Sequence, residues 1–364
     1  SSSFLGNYLL HFCSRVINTF FLLIIIVIFG INLFSYFDLV NVKTVTILLL
    51  SGFILLYPHF KKSIKNIKNR TFFRVKFQLY VLFVAIILAL TFIQAIIYPP
   101  NNWDSMTYHM SRIVYWIQYS SIEYFETNNN RQNLLMPGAE LILLIVQLLF
   151  QTDRFANLPQ WISFLIGMKA IWEISGLLGL STEKKMIILI LYSTIPMALL
   201  QSSSTQNDLL TSSLALCTVY NAIQLRRNPK IFFNWIYFGS LLSLTFLVKP
   251  TGILVLIPFI TFLFLKRFNF YHEKKFILHY ISVIAIFGFV NGFDLYRKYN
   301  ATGSFSAGRQ EVFLYTDPIK GKLINSLTGL FYHIPFEQLC ETDTFVSLHS
   351  LSPTVFTRTN PCRQ

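Results

Sequence analysis

Residues 94–112 read QAIIYPPNNWDSMTYHMSR. An apolar run ends at Pro99 and Pro100, which cannot continue a helical hydrogen-bond ladder, and Trp103 and Asp104 follow within four residues. The run upstream, 77–98, is long enough to cross a hydrocarbon core as a helix. The stretch is therefore read as a point where the chain leaves lipid, and its carboxylate sits at that boundary.

The rest of the chain fits this reading. Hydrophobic residues make up 54% of it, charged residues 13%, and its mean hydropathy is +0.53; a soluble domain carries about 25% charge. The apolar residues come in blocks of bilayer length. The expected fold class is an all-α polytopic membrane protein. The net charge of +14 raises nucleic acid as a partner, but the basic residues gather in short loops between apolar blocks. Membrane topology explains that pattern and leaves no nucleic-acid role.

Membrane helices are expected near 15–37, 44–59, 77–98, 157–179, 184–200, 209–225, 231–248, 251–266 and 276–296. The loop KKSIKNIKNRTFFRVK (61–76) holds seven basic residues and no acid. Placing it in the cytoplasm puts the amino terminus inside and 99–156 outside. STEKK (181–185), RRNPK (226–230) and KRFNFYHEKK (266–275) return to the cytoplasmic side only if 137–151 does not cross, so that segment is expected to be re-entrant. The outer face then owns 99–156, QSSSTQND (201–208), the turn at Lys249 and everything after about 297. Three regions result: two additional N-terminal helices and a basic loop (1–76), a membrane module (77–296) and an extramembrane tail (297–364). Cys13 and Cys217 read as buried small hydrophobes. Cys340 and Cys362 are placed to pair if the tail meets an oxidising compartment. The first apolar block is too long for a signal-peptide core and is expected to be retained.

From Asp104 onward the pattern turns amphipathic. Met106, Met110, Ile113 and Ile117 make one apolar stripe, and Asp104, Tyr108 and Arg112 fall on the opposite face of an interfacial helix. The plain alternative is that Asp104 caps the helix while Trp103, Tyr108, Tyr115 and Trp116 form an aromatic belt. Beyond it, IEYFETNNNRQNLLMPGAE (122–140) carries Glu123, Glu126, Arg131 and Glu140. Glu123 and Glu126 read as solvated. Glu140 opens the embedded helix, where a carboxylate is costly unless paired, hydrated or used. Asp208 stands at a helix entrance, and Lys249 between two apolar blocks is explained equally by snorkelling or by holding a phosphate. Arg297 and Lys298 put positive charge outside, against the topology rule, and ask for an anionic partner.

Taken together, WDSMTYHMSRIVYW, RQNLLMPGAE, SSSTQNDLL, LVKPTG and YRKYNATGS resemble the GT-C glycosyltransferases. The likeness is to the bacterial branch related to protein O-mannosyltransferases and aminoarabinose lipid A transferases (glycosyltransferase family 39-like). It runs over about 77–305; the tail does not resemble the further membrane helices of such enzymes. The resemblance implies a polyprenyl-phosphate-linked sugar as donor and a hydroxyl of a glycan, lipid or protein as acceptor. It also implies an inverting reaction with Asp104 as general base. Asp208 matches the second-loop aspartate, Lys249 a basic residue near the lipid-linked phosphate, and Glu140 an acidic residue that serves some relatives as metal or structural ligand. A divalent metal is the one cofactor left open. Tyr108, His109, Arg112, Arg131 and Arg297 are further substrate-site candidates by proximity. A bacterial inner membrane, with the site facing the periplasm, is the expected location. Two other classes compete: a transporter of lipids or anions, against which stands the lack of two related halves, and a non-catalytic subunit of a membrane complex.

Overall fold

The computed structural model describes residues 2–65, 78–265, 277–303 and 305. Among these the chain is helical throughout, without a strand. It is an integral membrane protein of apolar helices. Val16–Ser35, Val42–Lys61, Leu79–Ile97 and Ile277–Thr302 are long and apolar enough to cross a bilayer. The basic loop from residue 66 onward, the loop 266–275 and the tail with Cys340 and Cys362 lie outside the described residues.

Helices α1 (Ser2–Ser35) and α2 (Val42–Lys65) form a hairpin. Its turn holds Asp38 at φ 52°, and the Asn41 side chain accepts from the Thr44 N–H at 3.1 Å, capping α2. α3 (Gln78–Ile97) ends one residue before the Tyr98–Pro99–Pro100 break. A π-helical turn (Ser105–His109) then runs into α4 (Met110–Tyr119), followed by the single turn α5 (Arg131–Leu134) and the short α6 (Gly138–Phe150). α7 (Leu158–Leu177), α8 (Thr182–Ser193) and α9 (Pro196–Ser202) come next. The chain closes with α10 (Asp208–Arg227), α11 (Phe232–Val248), α12 (Thr251–Leu265) and α13 (Ile277–Thr302).

α11 is central. It packs against α13, α10, α1 and α12, while α10 lies on α7 and α1 touches α7 and α13. The main core draws on α1, α4, α6, α10 and α11, through side chains such as Ile28, Ile31, Ile113, Leu141, Leu144, Leu214 and Leu244. Polar ties cross it: Asn18 on α1 donates to Asn221 on α10 at 2.9 Å, which satisfies two amides in an apolar interior.

The expected helices recur with three corrections. First, the span expected over 184–200 is broken into α8 and α9, bent by 65°. Ile195 is extended ahead of Pro196, as a residue preceding proline prefers. Second, the last helix runs on to Thr302, so Arg297 and Lys298 stand inside it rather than at the head of a tail. Third, the stripe expected from Met106 is interrupted. The π turn adds a residue to its helical turn and rotates the side chains before it relative to those after it. Met106 is accordingly exposed while Ile113 is fully buried, and Tyr108, His109 and Arg112 turn inward.

α6, with its 13 residues, spans about 20 Å at 1.5 Å per residue, short of the ~30 Å hydrocarbon core. A Cβ on Gly138 at its start would lie 2.7 Å from the backbone of Leu247 and Val248, next to the Lys249 turn. After its end, the Asn157 side chain donates to the Tyr98 carbonyl at the end of α3 at 2.9 Å. The start of α6 thus packs on the end of α11, and the loop after α6 is tied to the end of α3.

Candidate active site

The segments expected on the outer face gather at one end of the bundle. The Ser121 hydroxyl donates to the Ser35 carbonyl at 3.0 Å, and the Val40 N–H donates to Ser120 O at 2.8 Å, tying the α1–α2 turn to the end of α4. The Thr205 hydroxyl donates to Ser105 Oγ at 2.6 Å, tying the α9–α10 loop to the start of the π turn. Arg297 on α13 donates to Glu123 Oε1 at 2.7 Å and to Asn32 Oδ1 on α1 at 2.6 Å.

Asp104 does not cap its helix. Asn102 does: its side-chain oxygen accepts from the Ser105 N–H at 2.8 Å, and Asp104 makes no capping bond. The carboxylate is one-third exposed, with the Arg131 guanidinium 3.8 Å away. Its neighbour Ser105 is the residue held by Thr205, three positions before Asp208. Asp208 in turn forms an ion pair with Lys249 and accepts from the Gln201 amide at 3.2 Å. Three residues on from Lys249, Gly252 packs closely: a Cβ there would lie 2.7 Å from Thr211 Cγ2 and 2.8 Å from Thr245 Cγ2. Tyr108 is buried among Asp104, Glu140, Arg131 and Asp208. Burial first, then the nearby carboxylates, push its phenol above the usual range, so it stays a neutral donor. The partly exposed polar groups Asp104, Arg131, Asp208 and Lys249 therefore share one neighbourhood, with Tyr108 beneath.

A second cluster is closed to solvent. Glu140, fully buried in the first turn of α6, accepts from His109 Nδ1 at 2.9 Å and lies 3.6 Å from Arg112 Nη1. Arg112 also donates from Nε to the Gln132 carbonyl and from Nη2 to Leu135 O at 2.8 Å, and its guanidinium stands over the Trp116 ring at 5.3 Å. Burial would raise the Glu140 carboxyl, yet Arg112 and His109 together hold it below its usual range. This set pins α4 and the loop ahead of α6 onto α6. His109 and Arg112, expected as substrate-site residues, are both buried.

Glu123, read as solvated, is half-exposed and also pairs with Arg297. Carboxylates for Arg297 are supplied by the chain itself, from Glu123 and from Asp294 at 3.2 Å. The Glu140 Oε1 atom is held by the imidazole and the guanidinium, while its Oε2 is buried without a hydrogen-bond partner. Among the described residues no group of three or more His, Cys, Asp or Glu is placed to hold an ion. Sequence reading missed Asn102, Gln201 and Thr205; an Asn three residues ahead of a helical N–H was the one visible signal.

No curated protein and no solved structure matches the chain. A family match begins at Met136, so it includes Glu140, Asp208 and Lys249 but not Asp104. Residues 136–291 match the family model described as dolichyl-phosphate-mannose-protein mannosyltransferase, and over a bundle of apolar helices this supports a membrane glycosyltransferase of the GT-C type.

Proposed function

We propose that the chain moves a sugar from a polyprenyl-phosphate donor to an acceptor hydroxyl, with inversion, at the face formed by Asp104, Asp208 and Lys249. One observation carries this reading. A carboxylate with no capping duty is held by the Ser105–Thr205 hydrogen bond beside a carboxylate–ammonium pair at the same end of the bundle.

Asp104 takes the proton of the acceptor hydroxyl. The freed oxygen lone pair forms a bond to the anomeric carbon as the bond from that carbon to the phosphate oxygen breaks. The electron pair leaves with the polyprenyl phosphate, and attack from the opposite face inverts the centre. Lys249 is a point charge for the growing negative charge on the leaving phosphate, and Asp208 and Gln201 hold it in place. Arg131 orients the Asp104 carboxylate, and the neutral Tyr108 phenol donates toward the bound sugar. On this reading the face lies on the outer side, as the basic loops lead one to expect, and the resemblance suggests the periplasmic side of a bacterial inner membrane.

The test is turnover by purified protein in lipid nanodiscs, with synthetic polyprenyl-phosphate sugars and a panel of hydroxyl acceptors. Asp104→Asn is expected to lower kcat by about 10²–10⁴-fold, the range for losing a general base, with unchanged thermal unfolding. Wild-type-like turnover by that variant removes Asp104 from the role. No turnover by the wild type with any donor favours a non-catalytic subunit instead.

A further inference from the structure

A small, partly open cavity lies between the first outer loop and the last helix, lined by Trp116, Tyr124, Asn133, Leu135, Asp294 and Lys298, with Arg112 at its wall. The resemblance assigns nothing to it. Its polar groups are poorly satisfied. Asp294, 7% exposed, gives one oxygen to Arg297, but its Oδ2 is buried without a hydrogen-bond partner. Lys298, one turn further along α13, is 6% exposed, and among the described residues its ammonium makes no hydrogen bond or ion pair. Arg112 Nη1 likewise has no hydrogen-bond acceptor. Leaving Asp294 Oδ2 and Arg112 Nη1 buried and unpaired is costly, and with the unpaired Lys298 ammonium beside them they point to a ligand with both donor and acceptor character.

Charge decides what kind of ligand. Arg112, Lys298 and Asp294 line the cavity; behind the lining, Glu140 pairs with Arg112, and Arg297 bridges Asp294 and Glu123. Three of each leave no surplus positive charge for an anion. A neutral hydroxyl meets the need, since it donates to Asp294 Oδ2 while accepting from Lys298. Tyr124 adds a phenol that burial, ahead of its charged neighbours, pushes up to about 12, and it therefore stays a donor. Trp116 supplies an aromatic wall. The space admits a single hydroxyl rather than a whole ring. Arg112 lies two helical turns, about 12 Å, along the chain from Asp104.

We propose that Asp294, Lys298 and Tyr124 form a carbohydrate subsite that recognises a hydroxyl of a neutral sugar. The proposal deepens the transferase reading and rests on it for the origin of the sugar, donor or acceptor.

The experiment is saturation-transfer NMR on the full chain in nanodiscs, with methyl glycosides of the common neutral hexoses, their deoxy analogues and inorganic phosphate as probes. Wild type is expected to bind at least one hexoside. Asp294→Asn, Lys298→Met and Tyr124→Phe should each weaken it at least tenfold, as should deletion of the recognised hydroxyl. Tyr124→Phe removes a single oxygen and decides the matter if the charged variants do not fold. No hexoside binding by wild type, binding unaffected in Tyr124→Phe, or displacement by phosphate that depends on Lys298 each overturns the proposal. In turnover assays, a raised KM for donor alone or for acceptor alone in these variants identifies the source, and either supports it. Hexoside binding needs no turnover, so a chain that binds but never transfers refutes the transferase reading and leaves the subsite standing.

Discussion

Glu140 offers a quantitative check on the site's architecture. Its carboxylate is fully buried, 2.9 Å from His109 Nδ1 and 3.6 Å from the Arg112 guanidinium, itself 2% exposed. Glu140→Gln keeps the shape and removes the charge, stranding a buried guanidinium. Breaking a buried pair from one side costs about 3–5 kcal/mol; the amide can still accept from His109, so the lower end, about 3 kcal/mol, applies. For a chain of this length, at about 2 °C per kcal/mol, the unfolding midpoint should fall by roughly 6 °C. Arg112→Met strands the carboxylate instead. Because each variant exposes the same broken contact, the double variant should cost less than the sum by at least about 1.5 kcal/mol. Thermal unfolding at one fixed scan rate in nanodiscs reads all three. Additive losses, within about 0.5 kcal/mol, would refute the pairing. The pH dependence has a definite sign. The Glu140 carboxyl is held below its usual range in the fold, so its stabilisation is complete above about pH 4.3, the ordinary Glu value. That contribution is lost as pH falls through the lower folded value, and Glu140→Gln should flatten this acid limb.

Three other outcomes rest on single contacts. Asn102→Ala should cost about 1 kcal/mol in the same unfolding assay because it removes the cap on the Ser105 N–H, whereas Asp104→Ala should cost little; the reverse ranking would restore Asp104 as the cap. Asp208→Asn and Lys249→Met break a pair that is 49% and 37% exposed at its two ends, so each should change stability by no more than about 1 kcal/mol while abolishing transfer. A stability loss several times larger would recast the pair as structural. Gly138→Ala drives a Cβ to 2.7 Å from the Leu247 backbone and should cost about 1–3 kcal/mol by overpacking; an unchanged midpoint would show that α6 is free to shift.

Much of the bundle was legible in the chain itself. Blocks of bilayer length between basic loops named the helices, and α6 stood out as too short to span the hydrocarbon core. Prolines also marked ends, as at Pro99–Pro100. The same rule was available at Pro196, yet the apolar content of 184–200 masked the break that splits α8 from α9. The candidate site was half legible. Asp104, Asp208 and Lys249 emerged as polar outliers near one face, but their partners did not. That Asn102 caps the helix, that Arg297 meets Glu123 across 174 positions, and that Gln201 and Thr205 brace the neighbourhood are matters of folded distance.

The amino-acid pattern by itself determined that the chain is a membrane bundle, because hydropathy and loop charge act locally and leave their mark in composition and spacing. It also narrowed the chemistry to a few carboxylates and cations at helix ends. Only the tertiary structure decided which of these charges neutralise one another inside the protein and which stay available. Whether a carboxylate is spent in a buried pair, as Glu140 is, or stands partly open, as Asp104 does, depends on the π turn that rotates Tyr108, His109 and Arg112 inward. Ion pairing falls off over a few ångströms, and helix packing brings distant residues within that range in ways no periodicity reveals.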